Sequence, residues 1–269
     1  MSRHRITSHP VLSRAQARRH YSQNFLADPA AARAVVRASG VGAGELVVEI
    51  GPGDGMLTRH LLDTAGRVLA YEIDARHAAA LRARYAGDDR LRCHHADIRN
   101  VRPPREPFAV VANIPFAAST DILRWCLAAQ QLTSATLLAQ KEFARKYSGH
   151  YRRWPKTTVA HWPAVRTSLG PALARDRFRP VPRVDAAVLR LHRRERALLS
   201  HRDLVLYRQL VDLGYLGLGG SLAATLATRF PARRVRAACA RAGIATDAPV
   251  GTVPPDSWIT LYRALGDHA

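Results

Sequence analysis

The sequence predicts an α/β fold in which a mostly parallel sheet is covered by helices on both faces and followed by a small helical domain. Three observations predict it. Short apolar runs alternate with stretches of helical periodicity, a glycine-rich turn joins the first run to the helix after it, and beyond His192 the strand-like runs stop. With 269 residues, 47% of them apolar, the chain is long enough to bury one large core and carry an appendage.

Asp28 and Pro29, followed by Ala32, Val35 and Val36 and then Gly40, read as an N-cap, a first-turn proline, an apolar stripe and a terminating glycine. Leu46 to Ile50 is a strand opening into Gly51-Pro52-Gly53-Asp54-Gly55, after which Met56, Leu57, Leu61 and Leu62 resume helical spacing. The unit repeats. Val68 to Tyr71 is a strand ending at Glu72, and Asp74 caps a helix carrying Ala78, Leu81 and Tyr85 on one face. Leu91 to His94 ends near Asp97, and Phe108 to Ala112 ends at Asn113. Such alternation implies right-handed crossovers and a parallel sheet. A helix from Thr120 to about Gln131 and strands near 136–139 and 185–191 complete it, and helical patterns follow near 202–213, 220–229, 231–242 and 256–265. The expected division is a basic tail over 1–22, an α/β domain over 23–192 and a helical domain over 193–269.

Charge narrows the partners. The 41 Lys and Arg against 21 Asp and Glu leave a formal charge of +20, which suits a polyanion. Cys93, Cys126 and Cys239 are far apart, without a C-x-x-C pair, so neither a disulfide framework nor a zinc site is expected, and a reducing cytosol is. No metal is expected, no apolar stretch reaches membrane-spanning length, and the first 22 residues, with five arginines and no acid, do not read as a secretory signal. His9, His94 and His95 have no metal-ligand spacing.

Ligands of such sheets bind at the carboxyl ends of the strands, where Glu49, Glu72, Asp97 and Asn113 converge. Gly51 and Gly53 let the backbone turn sharply and present N–H groups near a helix start, a place for a carboxylate or phosphate. Glu72, about 20 residues on, stands where an acid accepts both ribose hydroxyls of a nucleoside. Asp97 can accept from an adenine amino group, and Glu49 is open to two readings, a cofactor contact or a structural acceptor under the loop. These residues suit NAD or S-adenosylmethionine alike. Asn113-Ile114-Pro115-Phe116 separates the two: proline biases Ile114 away from helix, so an amide side chain and main-chain carbonyls can accept from an exocyclic amine while Phe116 offers a stacking face. Hydride transfer needs none of this; methyl transfer to adenine N6 does.

Ser22-Gln23-Asn24-Phe25-Leu26, Glu49-Ile50-Gly51-Pro52-Gly53-Asp54-Gly55, Glu72-Ile73-Asp74, Ala96-Asp97-Ile98, Asn113-Ile114-Pro115-Phe116 and the box from Phe178 to Asp185 occur in order. Over residues 18–192 the chain resembles the rRNA adenine N6-methyltransferase family shared by the Erm macrolide-resistance methylases and the KsgA-type dimethyltransferases. The resemblance implies a Rossmann-like S-adenosylmethionine-dependent methyltransferase sheet. It implies that Gln23, Asn24 and Leu26 cover the cofactor, that Gly51 and Gly53 approach its methionine part, that Glu72 takes the ribose, and that Ile73 and Ile98 sandwich an adenine whose amino group meets Asp97. Asn113 and the Ile114 carbonyl would hold the target amine, Phe116 and Phe178 would pack on the extruded base, and Thr120, Arg124, Arg145 and Lys146 match positions that face RNA.

Phe116 stands where tyrosine is common and Ala112 where glycine is usual, and Leu213 to Ala227 lacks the dense basic run of KsgA-type proteins. Because that run is missing, and because Ile114 with the Ser119-Thr120-Asp121-Ile122-Leu123 continuation agrees, the resemblance leans to the Erm branch: methylation of 23S rRNA by a cytoplasmic monomer, with resistance to macrolide, lincosamide and streptogramin B antibiotics. The alternatives are a KsgA-type 16S rRNA dimethyltransferase and a non-catalytic RNA-binding assembly factor. Both phenylalanines also read as core residues. Lys141, Arg145, Lys146, Arg152 and Arg153 form a basic cluster just past the site, and Arg229, Arg233, Arg234, Arg236 and Arg241 a second; each reads as an RNA contact or a solvated face.

Overall fold

The computed structural model describes residues 24–266. The chain enters through a two-residue strand, β1 (Phe25–Leu26), and helix α1 (Pro29–Ser39). The Asp28 carboxylate accepts from the Ala30 and Ala31 N–H groups, Pro29 occupies the first turn, and Gly40 closes the helix at φ 70°. Then come β2 (Leu46–Ile50), α2 (Thr58–Leu62), β3 (Arg67–Glu72), α3 (Ala75–Arg84), β4 (Leu91–His95), β5 (Phe108–Asn113), α4 (Ser119–Ala128) and β6 (Leu132–Gln140). Next are α5 (Lys141–Tyr147), α6 (Lys156–His161), β7 (Val165–Leu173), β8 (Phe178–Arg179) and β9 (Ala186–Arg193), and the chain ends in α7 (His201–Gly214), α8 (Leu222–Leu226), α9 (Ala232–Arg241) and α10 (Pro255–Gly266).

Seven strands form one sheet in the order β4-β3-β2-β5-β6-β9-β7. The first five are parallel, and β9 runs antiparallel between β6 and β7. Strand order reverses between β2 and β5, which opens a crevice beyond their carboxyl ends. Alternate residues feed opposite faces: Val48, Ile50, Val110 and Ala112 pack with Ile122, Leu123 and Cys126 of α4, whereas Val47, Ala109 and Val111 pack with α1 and α2.

Strand β7 was not among the expected strands, because Gly170-Pro171 interrupts its run; the register shifts there, between Leu169 and Ala172, and β7 sits at the sheet edge where a proline costs no ladder bond. The helical lobe also extends beyond its expected limit of 193–269. Its core of Tyr207, Val211, Leu222, Val235 and Trp258 includes Val159 and Trp162, which precede β7. The Tyr207 hydroxyl donates to the Val159 carbonyl at 3.0 Å, and Trp162 Nε1 donates to Asp256 at 2.8 Å. Among the described residues no helix is long and apolar enough to cross a membrane, and no group of three or more His, Cys, Asp or Glu is placed to hold a metal ion.

Candidate active site

Gly51, Gly53 and Gly55 have φ of 67°, 54° and 79°, the left-handed region that side chains disfavour, so the turn after β2 requires them. The turn is pinned to β3: the Gly51 N–H donates to the Tyr71 carbonyl and the Gly53 N–H to Glu72 Oε2, both at 2.9 Å. The Asp74 N–H donates to Glu72 Oε1 at 2.9 Å. Burial pushes the Glu72 carboxyl above its ordinary range, opposed by these two N–H groups. Each oxygen has one donor and a lone pair to spare, so an oriented acceptor stands at the end of β3.

The cleft above encloses about 440 Å³ of free space, part of it open to solvent. Its floor is the glycine turn with Glu72 and Ile73, and its far wall is Asn113 to Phe116. Asn113, half-buried at the end of β5, donates from Nδ2 to the Asn24 carbonyl at 2.9 Å. The Ile114 N–H continues the ladder to the Leu138 carbonyl at 3.0 Å, with its side chain buried. The Pro115 carbonyl accepts from the Ala118 N–H and the Ser119 hydroxyl, which starts the next turn and leaves Phe116 half-exposed in the wall. Asn24 and Phe25 close the near side.

Comparison with known proteins identifies this arrangement. The family model described as ribosomal RNA adenine dimethylase matches residues 14–267. The chain belongs to that family. An rRNA adenine N-6-methyltransferase of Aeromicrobium erythreum is 44% identical over 95% of this chain and 76% of its own length. The mycinamicin-resistance protein MyrB of Micromonospora griseorubida is 33% identical over 91% of this chain and 78% of its own. The solved structure of the 23S rRNA methyltransferase ErmE is 40% identical, covers 90% of this chain and all of its own, and superposes with a TM-score of 0.86. The α/β domain thus has the S-adenosylmethionine-dependent methyltransferase fold, and this family member is an rRNA adenine methyltransferase.

Of the site residues expected from the sequence, the cleft unites Asn24, Gly51, Gly53, Glu72, Ile73, Asn113, Ile114, Pro115 and Phe116. Gln23 and the tail over 1–22 lie outside the described residues. Leu26 is buried in the core beside α1. Glu49 is 1% exposed and accepts from the Thr58 hydroxyl at 2.7 Å, the structural one of its two readings; burial pushes its carboxyl up to about 8. Asp97 is gripped by the Arg99 guanidinium, at 2.6 Å from Nη2, and Ile98 is buried against the sheet. Phe178 is fully buried, paired through β8 with Leu26, and is not among the residues that line the cleft. Its apolar box could not distinguish a floor from a buttress. Phe25, to which the sequence assigned no role, lines the cleft, packing on Gly53 and 5.2 Å from the His77 ring.

On the adjoining surface, Thr120 and Arg124 are exposed, Arg124 lying 3.5 Å from Asp121. Arg145 is held by Glu142 at 3.4 Å and by the Tyr151 hydroxyl at 3.2 Å, whereas Lys146, Arg152 and Arg153 are exposed.

Proposed function

We propose that the chain transfers a methyl group from S-adenosylmethionine to N6 of an adenine in 23S rRNA and thereby confers resistance to macrolide, lincosamide and streptogramin B antibiotics. The observation that carries this reading is the meeting, in one cleft, of the glycine turn and Glu72 with the Asn113-Ile114-Pro115-Phe116 wall. The 23S assignment is supported by the likeness to ErmE over its whole length, and the resistance by the likeness to MyrB.

The residues fit the cofactor. The Gly51 and Gly53 backbones, with no side chains, leave room for its methionine part, Glu72 has lone pairs facing the ribose position, and Ile73 supplies an apolar wall for its adenine. When bound, S-adenosylmethionine supplies a methyl group on a positively charged sulfur, an electrophile that requires no strong base to prepare the acceptor. Asn113 Oδ1 and the Ile114 carbonyl accept from the adenine amine, which draws its lone pair out of conjugation and aims it. Alignment of this kind is worth about 7 to 11 kcal/mol, and Asn113 acts through position and electrostatics. A paired base cannot reach the wall, so the adenine is single-stranded, bulged or extruded; stacking on Phe116, worth about 1 to 3 kcal/mol, offsets much of the unstacking cost. Lys146, Arg152 and Arg153 carry RNA phosphates.

Expression in a susceptible bacterium, with mass spectrometry of both ribosomal RNAs, tests the proposal. N6-methylated adenine in 23S rRNA, with a raised macrolide tolerance, is expected. Methylation confined to 16S rRNA would move the chain to the KsgA branch, and no new methylation would refute catalysis.

A further inference from the structure

Asn113 is held by a neighbour in the cleft wall. Its Nδ2 donates to a main-chain carbonyl, that of Asn24. A carbonyl only accepts, so the amide atom turned toward Asn24 is the nitrogen, and Oδ1 is the atom left for the cleft. The two orientations of this amide have nearly the same shape and opposite chemistry. Oδ1 accepts from an amine, whereas the flipped amide would confront it with two donors. The Asn24 carbonyl therefore selects the productive orientation.

What holds that carbonyl lies outside the cleft. The ladder of β1 with β8 pairs Phe25 with Arg179 and Leu26 with Phe178, and the Ala27 N–H donates to the Arg177 carbonyl at 2.8 Å. Beside it the Arg177 guanidinium is ion-paired with the Asp28 carboxylate, which also caps α1. Asp28, one end of a five-residue link back to Asn24, is thus fixed on one side by α1 and on the other by Arg177.

We propose that Arg177 and Asp28 form a latch which, through β1, holds the Asn24 carbonyl against the Asn113 amide and so keeps Oδ1 turned to the substrate. Both are positioning residues. This rests on the reading of Asn113 as acceptor of an adenine amine. The Arg177 side chain is 54% exposed, so loss of the pair costs little global stability, and a loss of turnover reports position.

The test is a double-mutant cycle in the full chain, with a 23S rRNA fragment as substrate: Asp28→Asn, which keeps the helix cap, Arg177→Ala, and both together. Each single variant should lose about tenfold in kcat at saturating S-adenosylmethionine, with KM for RNA within about twofold of wild type, and the double should be no worse than either single. Arg177→Lys should recover most of the loss. Wild-type kcat in the single variants, or independent losses that multiply in the double, would overturn the latch. If Arg177→Ala also lost cofactor binding, Arg177→Gln, closer in length, decides by the same kcat criterion. Were the wild-type chain itself inactive, the functional reading would fail; an active wild type with unaffected variants removes the latch alone.

Discussion

The ring of Phe25 occupies the space that a side chain on Gly53 would need: a Cβ there would meet Phe25 Cε1 at 2.6 Å and Cδ1 at 2.7 Å. Gly53 also has φ of 54° and donates its N–H to Glu72. Gly53→Ala therefore strains the backbone by about 1 to 2 kcal/mol and displaces the ring from the cleft wall. We expect cofactor affinity, by calorimetry, to fall roughly tenfold or more, together with a lower melting temperature. Unchanged affinity would place the methionine part away from this turn.

Asn113→Ala removes the acceptor at the end of β5 and leaves the glycine turn and Glu72 intact, since neither contacts its amide among the hydrogen bonds that orient them. The variant is expected to bind S-adenosylmethionine with near-normal affinity and to lose about a hundredfold or more in single-turnover methyl transfer. Wild-type turnover would exclude Asn113 from the reaction.

Glu49 lies under the same turn, fully enclosed. Burial is the main cause of its raised carboxyl pKa of about 8; the Thr58 hydroxyl opposes the shift and the Glu72 carboxylate adds to it. Its ordinary value is 4.5, so between pH 4.5 and 8 the folded protein keeps a proton that the unfolded chain has released. The stability tied to this group is thus complete below pH 4.5, declines as pH rises, and is gone above about 8. Glu72, raised by burial as well, has the same sign. Glu49→Gln keeps an acceptor for Thr58 and cannot ionise, so its urea midpoint should decline less steeply over that range. Parallel pH profiles of wild type and variant would show that Glu49 is not the titrating group.

Features written in neighbouring residues were legible in the sequence. Asp28, Pro29 and Gly40 bound α1 as read, and the four helical patterns after His192 correspond to α7 through α10, because caps, prolines and periodicity act within a few residues. Features that depend on distant pairing were not. The β1–β8 ladder joins residues some 150 apart and consists of two pairs, too short for any period. Val159 and Trp162 give no local sign that they belong to a core completed by Tyr207 and Trp258. The same limit governed the site: polar residues at strand ends were found by position, whereas Phe25 and Phe178, equally apolar, exchange cleft and core because only tertiary packing tells them apart.

The basic surface beyond the cleft divides by what already occupies each charge. Arg145 is engaged by Glu142 and Tyr151, and Arg124 lies beside Asp121, so part of their charge is spent within the protein. Lys146 and Arg153 are exposed, and Arg153 is a cleaner target than Arg152, whose φ of 53° would make any replacement also a backbone experiment. If each carries one phosphate of a single-stranded segment, Lys146→Ala with Arg153→Ala should reduce the log-log salt slope of RNA binding by about 1.4 and weaken binding at low salt without altering cofactor affinity. Filter binding over a potassium chloride series measures the slope. A slope equal to wild type would assign these two side chains to solvent and move the phosphate path to the arginines of α9.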